Sequence, residues 1–144
     1  MNILKKIANW LSGLFKPDTT LNEQKKSLKK IESPVVFSTV SIVEKPPKNE
    51  DVAEHEFFFV ILSNKPKWSL FKCPCGCGDV ITLSLQPVHI PHWCFTKSQA
   101  ERPTLYPSIW RDKGCLSHFW LKDGRIFWCH DTGSSPFSKT NRDR

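Results

Sequence analysis

The sequence predicts a mainly β fold that is preceded by an amphipathic helix at the N-terminus. Segments rich in β-branched and aromatic residues alternate with turn signals, as is typical of short strands. Four prolines between residues 87 and 107 exclude long helices there, because proline lacks an amide hydrogen and clashes with the preceding turn. Apolar residues follow helical spacing in residues 1–15, and a short helix around residues 21–31 stays open.

Composition and charge favour a folded domain whose basic character lies at its ends. The chain has 144 residues, of which 39% are hydrophobic and 24% charged, and its net charge is +7. Residues 1–34 carry seven lysines against three acidic residues, and the tail 138–144 carries three basic residues against one acidic residue. Residues 35–137 are therefore close to neutral, which disfavours a nucleic-acid-binding core.

The changes in charge and composition along the sequence predict four parts of the chain. Residues 1–15 form an amphipathic helix with one apolar stripe. Three roles for this helix stay open: packing on its own domain or a second copy, binding a partner, or peripheral contact with a membrane. Residues 16–34 form a basic linker, residues 35–137 a β-rich domain, and residues 138–144 a flexible basic tail.

The compartment predicted from the sequence is the cytoplasm. The first 15 residues lack the continuous apolar region and small-residue cleavage site of a signal peptide. We therefore expect the six cysteines to be reduced thiols available to a metal, not three disulfides. No apolar run approaches the length of about 18 residues that a transmembrane helix needs.

Strands are predicted at residues 35–43, 57–62, 68–71 and 80–85. The clearest local prediction is a hairpin at 118–129, because Asp-Gly at its centre tolerates the two positive φ angles of a type I′ turn. Pairing outward from that turn sets Trp120 opposite Phe127, and Phe119 opposite Trp128. Both faces of this hairpin are apolar, so we expect it to be buried on two sides or to form an interface.

Two clusters of soft ligands lie far apart in the sequence, as in many structural zinc sites. The first reads Cys73-Pro-Cys-Gly-Cys-Gly78 and the second Cys115-Leu-Ser-His118. Thiolates and imidazole nitrogen suit Zn²⁺, and two ligands from each cluster can complete a tetrahedral coordination sphere. The preferred ligands are Cys73, Cys77, Cys115 and His118, with Cys75 or Cys129 as competitors for one place. The predicted fold class is thus a small zinc-stabilised β-sheet domain with an N-terminal amphipathic helix.

Catalytic chemistry is not evident from the sequence. We identify no nucleophile–base–acid set and no glycine loop that cradles phosphate. Two enzymatic alternatives stay open: Cys75 as a thiolate nucleophile, or a zinc ion with an open position beside Asp79.

From Phe71 to Cys129 the sequence resembles a bacterial family of unknown function. The matching blocks are Cys73–Gly78, Pro103–Trp110, Cys115–Trp120 and Gly124–Cys129, against family patterns C-P-x-G-C-G, T-L-x-P-S, C-x-S-H-[FY]-W and G-[RK]-[IV]-x-W. In that family the middle and final cysteines vary, so the resemblance favours the preferred quartet over Cys75 and Cys129. It also implies that Ser117 and Arg125 support the site or bind a partner.

Members of this family often occur beside ubiquitin-like proteins and their conjugating enzymes. The resemblance thus implies a zinc-stabilised binding or adaptor protein, with protein partners, that is accessory to a ubiquitin-like modification or defence pathway. Some members are labelled ammonia monooxygenase, but no copper-type histidine set or membrane span supports that label. The alternatives are a cysteine- or zinc-dependent enzyme and a nucleic-acid-binding zinc module. Trp93, Tyr106 and Trp110 are candidates for a partner surface.

Overall fold

The computed structural model describes residues 32–137. The chain separates into two units, residues 1–32 and 33–144. The predicted helix at 1–15 and the predicted tail at 138–144 lie outside the described residues, and so does the linker up to residue 31. In the described part, no helix is long and apolar enough to cross a membrane.

The described residues form three small sheets, which confirms the mainly β prediction. The first sheet has four strands: β1 (Ser41–Val43), β2 (Phe57–Leu62), β3 (Lys65–Lys72) and β4 (Val80–Ser84). The second pairs β5 (Cys94–Lys97) with β6 (Pro103–Tyr106), and the third contains β7 (Ile109–Trp110), β8 (His118–Lys122) and β9 (Arg125–Trp128). β1 runs parallel to β2 and the other pairs are antiparallel. A 3₁₀ turn spans Asn49–Asp51.

Most predicted strands are present, but the first is shorter than expected. The run at 57–62 coincides with β2, and β4 ends one residue before the predicted bound. The segment predicted at 35–43 pairs as β1 only over its last three residues. Its beginning instead crosses the hairpin turn, because the amides of Val36 and Phe37 both donate to the carbonyl oxygen of Gly124 at 2.7 and 2.9 Å.

An aromatic core joins the first sheet to the third. Phe37, Phe57 and Phe71 are fully buried with ring centroids 5.3–5.9 Å apart, and Phe119 and Leu121 of β8 belong to the same cluster. Burying each such side chain contributes about 2–3 kcal/mol. The core therefore holds the end of β3, where the cysteine cluster begins, close to the start of β8.

The hairpin register is confirmed, and so is its turn. Trp120 pairs with Phe127, and Asp123 and Gly124 both have positive φ, at 48° and 67°. A β-carbon at position 124 would collide with the carbonyl oxygen of Phe37, so only glycine fits under the crossing segment.

Of the two alternatives for the hairpin, burial on both sides is not observed, and the interface stays a prediction. The inner face is buried, with Phe119, Leu121 and Ile126 all at or below 4% exposure. On the outer face Phe127 is 43% exposed, and at the end of the hairpin Trp128 is 47% exposed. The described residues supply one packing layer for this sheet, so the aromatic residues of its outer side face solvent.

Candidate functional site

Four cysteines meet at one end of β3. The sulfur atoms of Cys73, Cys75, Cys77 and Cys115 all lie within 4.8 Å of one another, so these residues could hold a metal ion. The tight turn after β3 makes this spacing reachable: the amide of Cys73 donates to the carbonyl of Asp79 at 2.8 Å. Both glycines in the turn adopt φ of 84°, which side chains disfavour.

The sulfur geometry fits Zn²⁺. A tetrahedral ion with Zn–S bonds of about 2.3 Å sets its sulfurs about 3.8 Å apart. Cys73 lies 3.4 Å from Cys75 and 3.8 Å from Cys115. Without an ion, burial raises the pKa of Cys73 to about 12. Burial also acts to raise the pKa of Cys115, but hydrogen bonds from Ser117 and neighbouring cysteines lower it to about 6.

Two polar side chains surround the cysteine cluster. The Arg111 guanidinium lies 3.6 Å from the sulfurs of Cys77 and Cys115, and it donates to the carboxylate of Asp79 at 3.0 Å. The Ser117 hydroxyl lies 3.1 Å from the sulfur of Cys115. The Arg111 cation would offset part of the negative charge of four thiolates around one Zn²⁺, and the Ser117 hydroxyl can donate to the sulfur of Cys115, as groups next to metal ligands commonly do.

His118 does not join this cluster. Three of the four ligands predicted from the sequence are there, and the fourth place is taken by Cys75. Successive side chains point to opposite sides as the chain enters β8. The buried Ser117 faces the sulfurs, and its neighbour His118 contacts Ser108 and Asp131 instead.

Ser108, His118 and Asp131 form a hydrogen-bonded row. The hydroxyl of Ser108 lies 3.0 Å from Nε2 of His118. On the other side of the ring, Nδ1 lies 2.6 Å from Oδ1 of Asp131. This is the serine–base–carboxylate arrangement in which a hydroxyl is activated for attack on an acyl carbon.

The pairing of β7 with β8 brings the serine to the histidine. Ser108 directly precedes β7. Two residues later, Trp110 of β7 pairs with His118 of β8. The two rings stack with centroids 4.3 Å apart and planes within 1° of parallel. The indole N–H of Trp110 donates to the carbonyl of Ser134 at 3.0 Å, which fixes the indole against the imidazole.

The turn after β9 delivers the carboxylate. The amide of Cys129 donates to the carbonyl of His118 at 2.9 Å. The hydroxyl of Thr132 accepts from the amide of His118 at 2.8 Å and donates to its carbonyl at 2.7 Å. These bonds attach the residues before and after Asp131 to the backbone of His118. The carboxylate is thereby held next to the imidazole ring.

The electrostatics of the row suit an orienting carboxylate. Burial alone would raise the pKa of Asp131, but the hydrogen bond with His118 lowers it below the ordinary value. The side chains of His118 and Asp131 are only 13% and 20% exposed. Asp131 therefore stays ionised and accepts from Nδ1, which leaves the lone pair of Nε2 directed at Ser108.

Cys129, which the sequence analysis left open as an alternative zinc ligand, lies beside this row and not in the cysteine cluster. Burial, and then the charge of Asp131, raise its pKa. Its sulfur is therefore a protonated thiol at neutral pH, which is a poor nucleophile.

An exposed aromatic surface adjoins the row. Trp120 follows His118 by two residues on β8 and thus lies on the same face of the sheet. Its cross-strand partner Phe127 is 43% exposed, and Tyr106, 65% exposed, lies with its ring 6.0 Å from that of Trp120. Of the three aromatics singled out in the sequence, Tyr106 is exposed, while Trp93 and Trp110 are half-buried.

Sequence reasoning missed Ser108 and Asp131. Ser108 lies in one of the blocks that carry the family resemblance, and His118 lies in the next. The available signal was therefore the presence of a serine and a histidine in neighbouring blocks of the same family pattern. Asp131 lies two residues past the last block and carries no sequence signal of its own.

Comparison with known proteins supplies one match. The family model described as "Bacterial ubiquitination-like system serine protease (BubE)" matches residues 42–129, which is more than half of the chain. Ser108 and His118 lie inside this range and Asp131 lies just beyond it. No curated protein and no solved structure matches the chain.

Proposed function

The chain belongs to the BubE family, the serine proteases of bacterial ubiquitination-like systems, and from this we propose that Ser108, His118 and Asp131 are its catalytic triad. The observation that supports the proposal is the row itself, with contacts of 3.0 and 2.6 Å on the two nitrogens of one imidazole. Ser108 is the nucleophile, His118 the general base, and Asp131 the carboxylate that orients the ring.

The chemistry follows from the proton positions. Nε2 of His118 takes the hydroxyl proton as Oγ of Ser108 attacks the carbonyl carbon, and a tetrahedral intermediate forms. The imidazolium then gives that proton to the leaving amine as the C–N bond breaks, which leaves an acyl-enzyme. Water, deprotonated by the same nitrogen, hydrolyses the ester and restores the serine. Asp131 stabilises the imidazolium in both halves of the cycle.

The proposed metal is a structural Zn²⁺ held by Cys73, Cys75, Cys77 and Cys115. Four protein ligands would complete the tetrahedral coordination of Zn²⁺, which favours a structural over a catalytic role. When bound, the ion supplies a crosslink between the end of β3 and the loop before β8. This set revises the quartet predicted from the sequence, with Cys75 in place of His118.

The two sites share short stretches of chain. Ser117 contacts the sulfur of Cys115 and is followed directly by His118. Arg111 contacts the sulfurs of Cys77 and Cys115 and directly follows Trp110, which stacks on His118. We infer that the metal holds β7 and β8 in the register on which the triad depends.

The substrate class is a peptide or isopeptide bond in the proteins of a ubiquitination-like pathway or in their conjugates. The family description supports a role in such a pathway, and we propose that its protein partners are cytoplasmic. The sequence analysis favoured a non-catalytic adaptor in this setting. An activated serine distinguishes the proposed protease from such an adaptor. An adaptor needs no reactive hydroxyl.

A fluorophosphonate probe tests the proposal without knowledge of the natural substrate. It phosphonylates a serine only where a base activates the hydroxyl. We expect tandem mass spectrometry to place the adduct on Ser108 in the wild type. The label should disappear in Ser108→Ala and fall at least about 100-fold in His118→Ala, since general-base assistance contributes about 10²–10⁴-fold.

The matched control is Ser134→Ala, because Ser134 is exposed and contributes its backbone carbonyl, not its hydroxyl, to the site. This variant should be labelled like the wild type. An adduct on Ser117 or Ser134 in place of Ser108, or no adduct on folded protein, would contradict the triad.

The exposed aromatic surface is proposed to bind the substrate beside the scissile bond. Phe127→Ser should raise KM about tenfold and leave kcat nearly unchanged, because losing a partly buried aromatic contact costs about 1–2 kcal/mol of binding. Steady-state hydrolysis of a protein substrate measures both constants. Leu62→Ser, which changes a similarly exposed apolar residue on the first sheet, should alter neither constant.

A further inference from the structure

We propose that His118, Cys129 and Asp131 form a second metal site, at which a thiophilic divalent cation such as Zn²⁺ binds and switches the protease off. One ring nitrogen of His118, the sulfur of Cys129 and a carboxylate oxygen of Asp131 all lie within 4.8 Å of one another. This group shares no residue with the four-cysteine cluster. Metal binding here is independent of the proposed function, whereas the inhibition rests on it.

The donor set suits Zn²⁺ with an open fourth position. Imidazole nitrogen, thiolate and carboxylate are its three protein ligand types, and sites with three protein ligands commonly keep a water as the fourth. Nitrogen and oxygen ligands of a tetrahedral Zn²⁺ lie about 3.4 Å apart. His118 and Asp131 are 2.6 Å apart, so they need to separate by less than about 1 Å to admit the ion.

The site is preorganised by the backbone. Cys129 and Asp131 flank a single residue in the turn after β9, and the amide of Thr132 closes that turn on the carbonyl of Cys129 at 3.1 Å. The amide of Cys129 is bonded to the carbonyl of His118 at 2.9 Å. Little conformational entropy is therefore lost when the three side chains converge. All three side chains are partly exposed, so an ion can reach them.

Binding is incompatible with catalysis whichever nitrogen is used. An ion on Nδ1 replaces the hydrogen bond to Asp131, and an ion on Nε2 takes the lone pair that would accept the proton of Ser108. In both cases the thiol proton of Cys129 is released to solvent as the metal–sulfur bond forms. With three protein ligands in place of four, the ion is held less tightly than in the cysteine cluster, so inhibition is reversible by chelator.

Cobalt titration reports the site directly. Protein holding one equivalent of Zn²⁺ is titrated with Co²⁺, and zinc retention is measured in the same samples. We expect a second equivalent to bind with a thiolate-to-cobalt charge-transfer band. The band should be lost in Cys129→Ala and kept in Cys94→Ala, a matched change of an exposed cysteine on β5. The Ser108→Ala variant should keep the band, because the serine is not a ligand.

Fluorophosphonate labelling in the same samples reports inhibition. A micromolar excess of Zn²⁺ should reduce the labelling of Ser108 at least tenfold in the wild type and less than twofold in Cys129→Ala. Without added metal, Cys129→Ala should be labelled like the wild type, which also shows that it is folded.

The outcomes separate this inference from the proposed function. A Cys129-dependent cobalt band with no label on Ser108 would overturn the protease and support the metal site. Normal labelling with no second cobalt equivalent, or with zinc inhibition that persists in Cys129→Ala, would overturn the metal site. Cobalt or zinc binding that leaves labelling unchanged would overturn the switch.

Discussion

Replacing Ser108 by alanine should lower kcat/KM for a protein substrate of the same ubiquitination-like system by about 10⁴-fold or more. Removing the nucleophile eliminates the acyl-enzyme route. The residual rate then comes from substrate binding and electrostatics alone. Cleavage on denaturing gels, followed over time, measures the rate. Circular dichroism should be unchanged, because Ser108 is only half-buried and the change removes one side-chain hydrogen bond, to His118.

The triad should also behave as one unit. His118→Ala should cost about as much as Ser108→Ala, and the double variant should be no slower than either, because residues that act in one step are strongly non-additive. Asp131→Asn keeps the shape of the row but presents an amide to Nδ1, so it too should reduce the rate by orders of magnitude. Ser134→Ala should be as active as the wild type. Additive losses, or an active Ser108→Ala, would place the chemistry elsewhere.

The hairpin shows what local sequence signals can predict. Its register follows from Asp123-Gly124 and the alternation of apolar residues, and it is the same in the structure. Three of the four clustered cysteines, Cys73, Cys77 and Cys115, belong to the quartet predicted from the sequence, and Cys75 was a competitor for one place. The hairpin depends on residues that are neighbours in the chain, whereas Cys115 joins the cluster from 42 residues beyond Cys73.

The proposed triad could not be predicted in this way because the strand pairing and the turn that bring its three residues together carry no local sequence signal. Ser108 reaches His118 through β7, a strand of only two residues whose register no local pattern specifies. Asp131 reaches the same ring through a turn that closes back on the carbonyl of His118. Ser108 itself follows a proline and carries no glycine-flanked signature of a nucleophile turn.

The structure places His118 away from the other three predicted ligands for a geometric reason. Spacing alone makes Cys115 and His118 a plausible pair on one ion. The chain is already extended where it enters β8, so Ser117 and His118 face opposite sides. Ser117 turns to the sulfurs, and the imidazole turns to Ser108.

Removing the metal should destabilise the domain and abolish activity together. The cysteine cluster ties the end of β3 to the segment before β8, and structural zinc sites contribute folding free energy directly. We expect chelation under reducing conditions to cost at least about 3 kcal/mol, which lowers Tm by about 10 °C or more in a domain of this size. Differential scanning calorimetry with zinc analysis measures both effects. Re-addition of one equivalent of Zn²⁺ should restore Tm and the labelling of Ser108.

Two single substitutions separate the structural ion from the catalytic base. Cys75→Ser should lose zinc and lower Tm, because it removes one of four thiolates that lie within 4.8 Å of one another. His118→Ala should retain one equivalent of zinc and most of its Tm while losing catalysis, because its ring contacts Ser108 and Asp131 and no sulfur of the cluster. The quartet predicted from the sequence requires the reverse: zinc lost in His118→Ala and retained in Cys75→Ser. Metal stoichiometry in these two variants therefore decides whether His118 serves the fold or the chemistry.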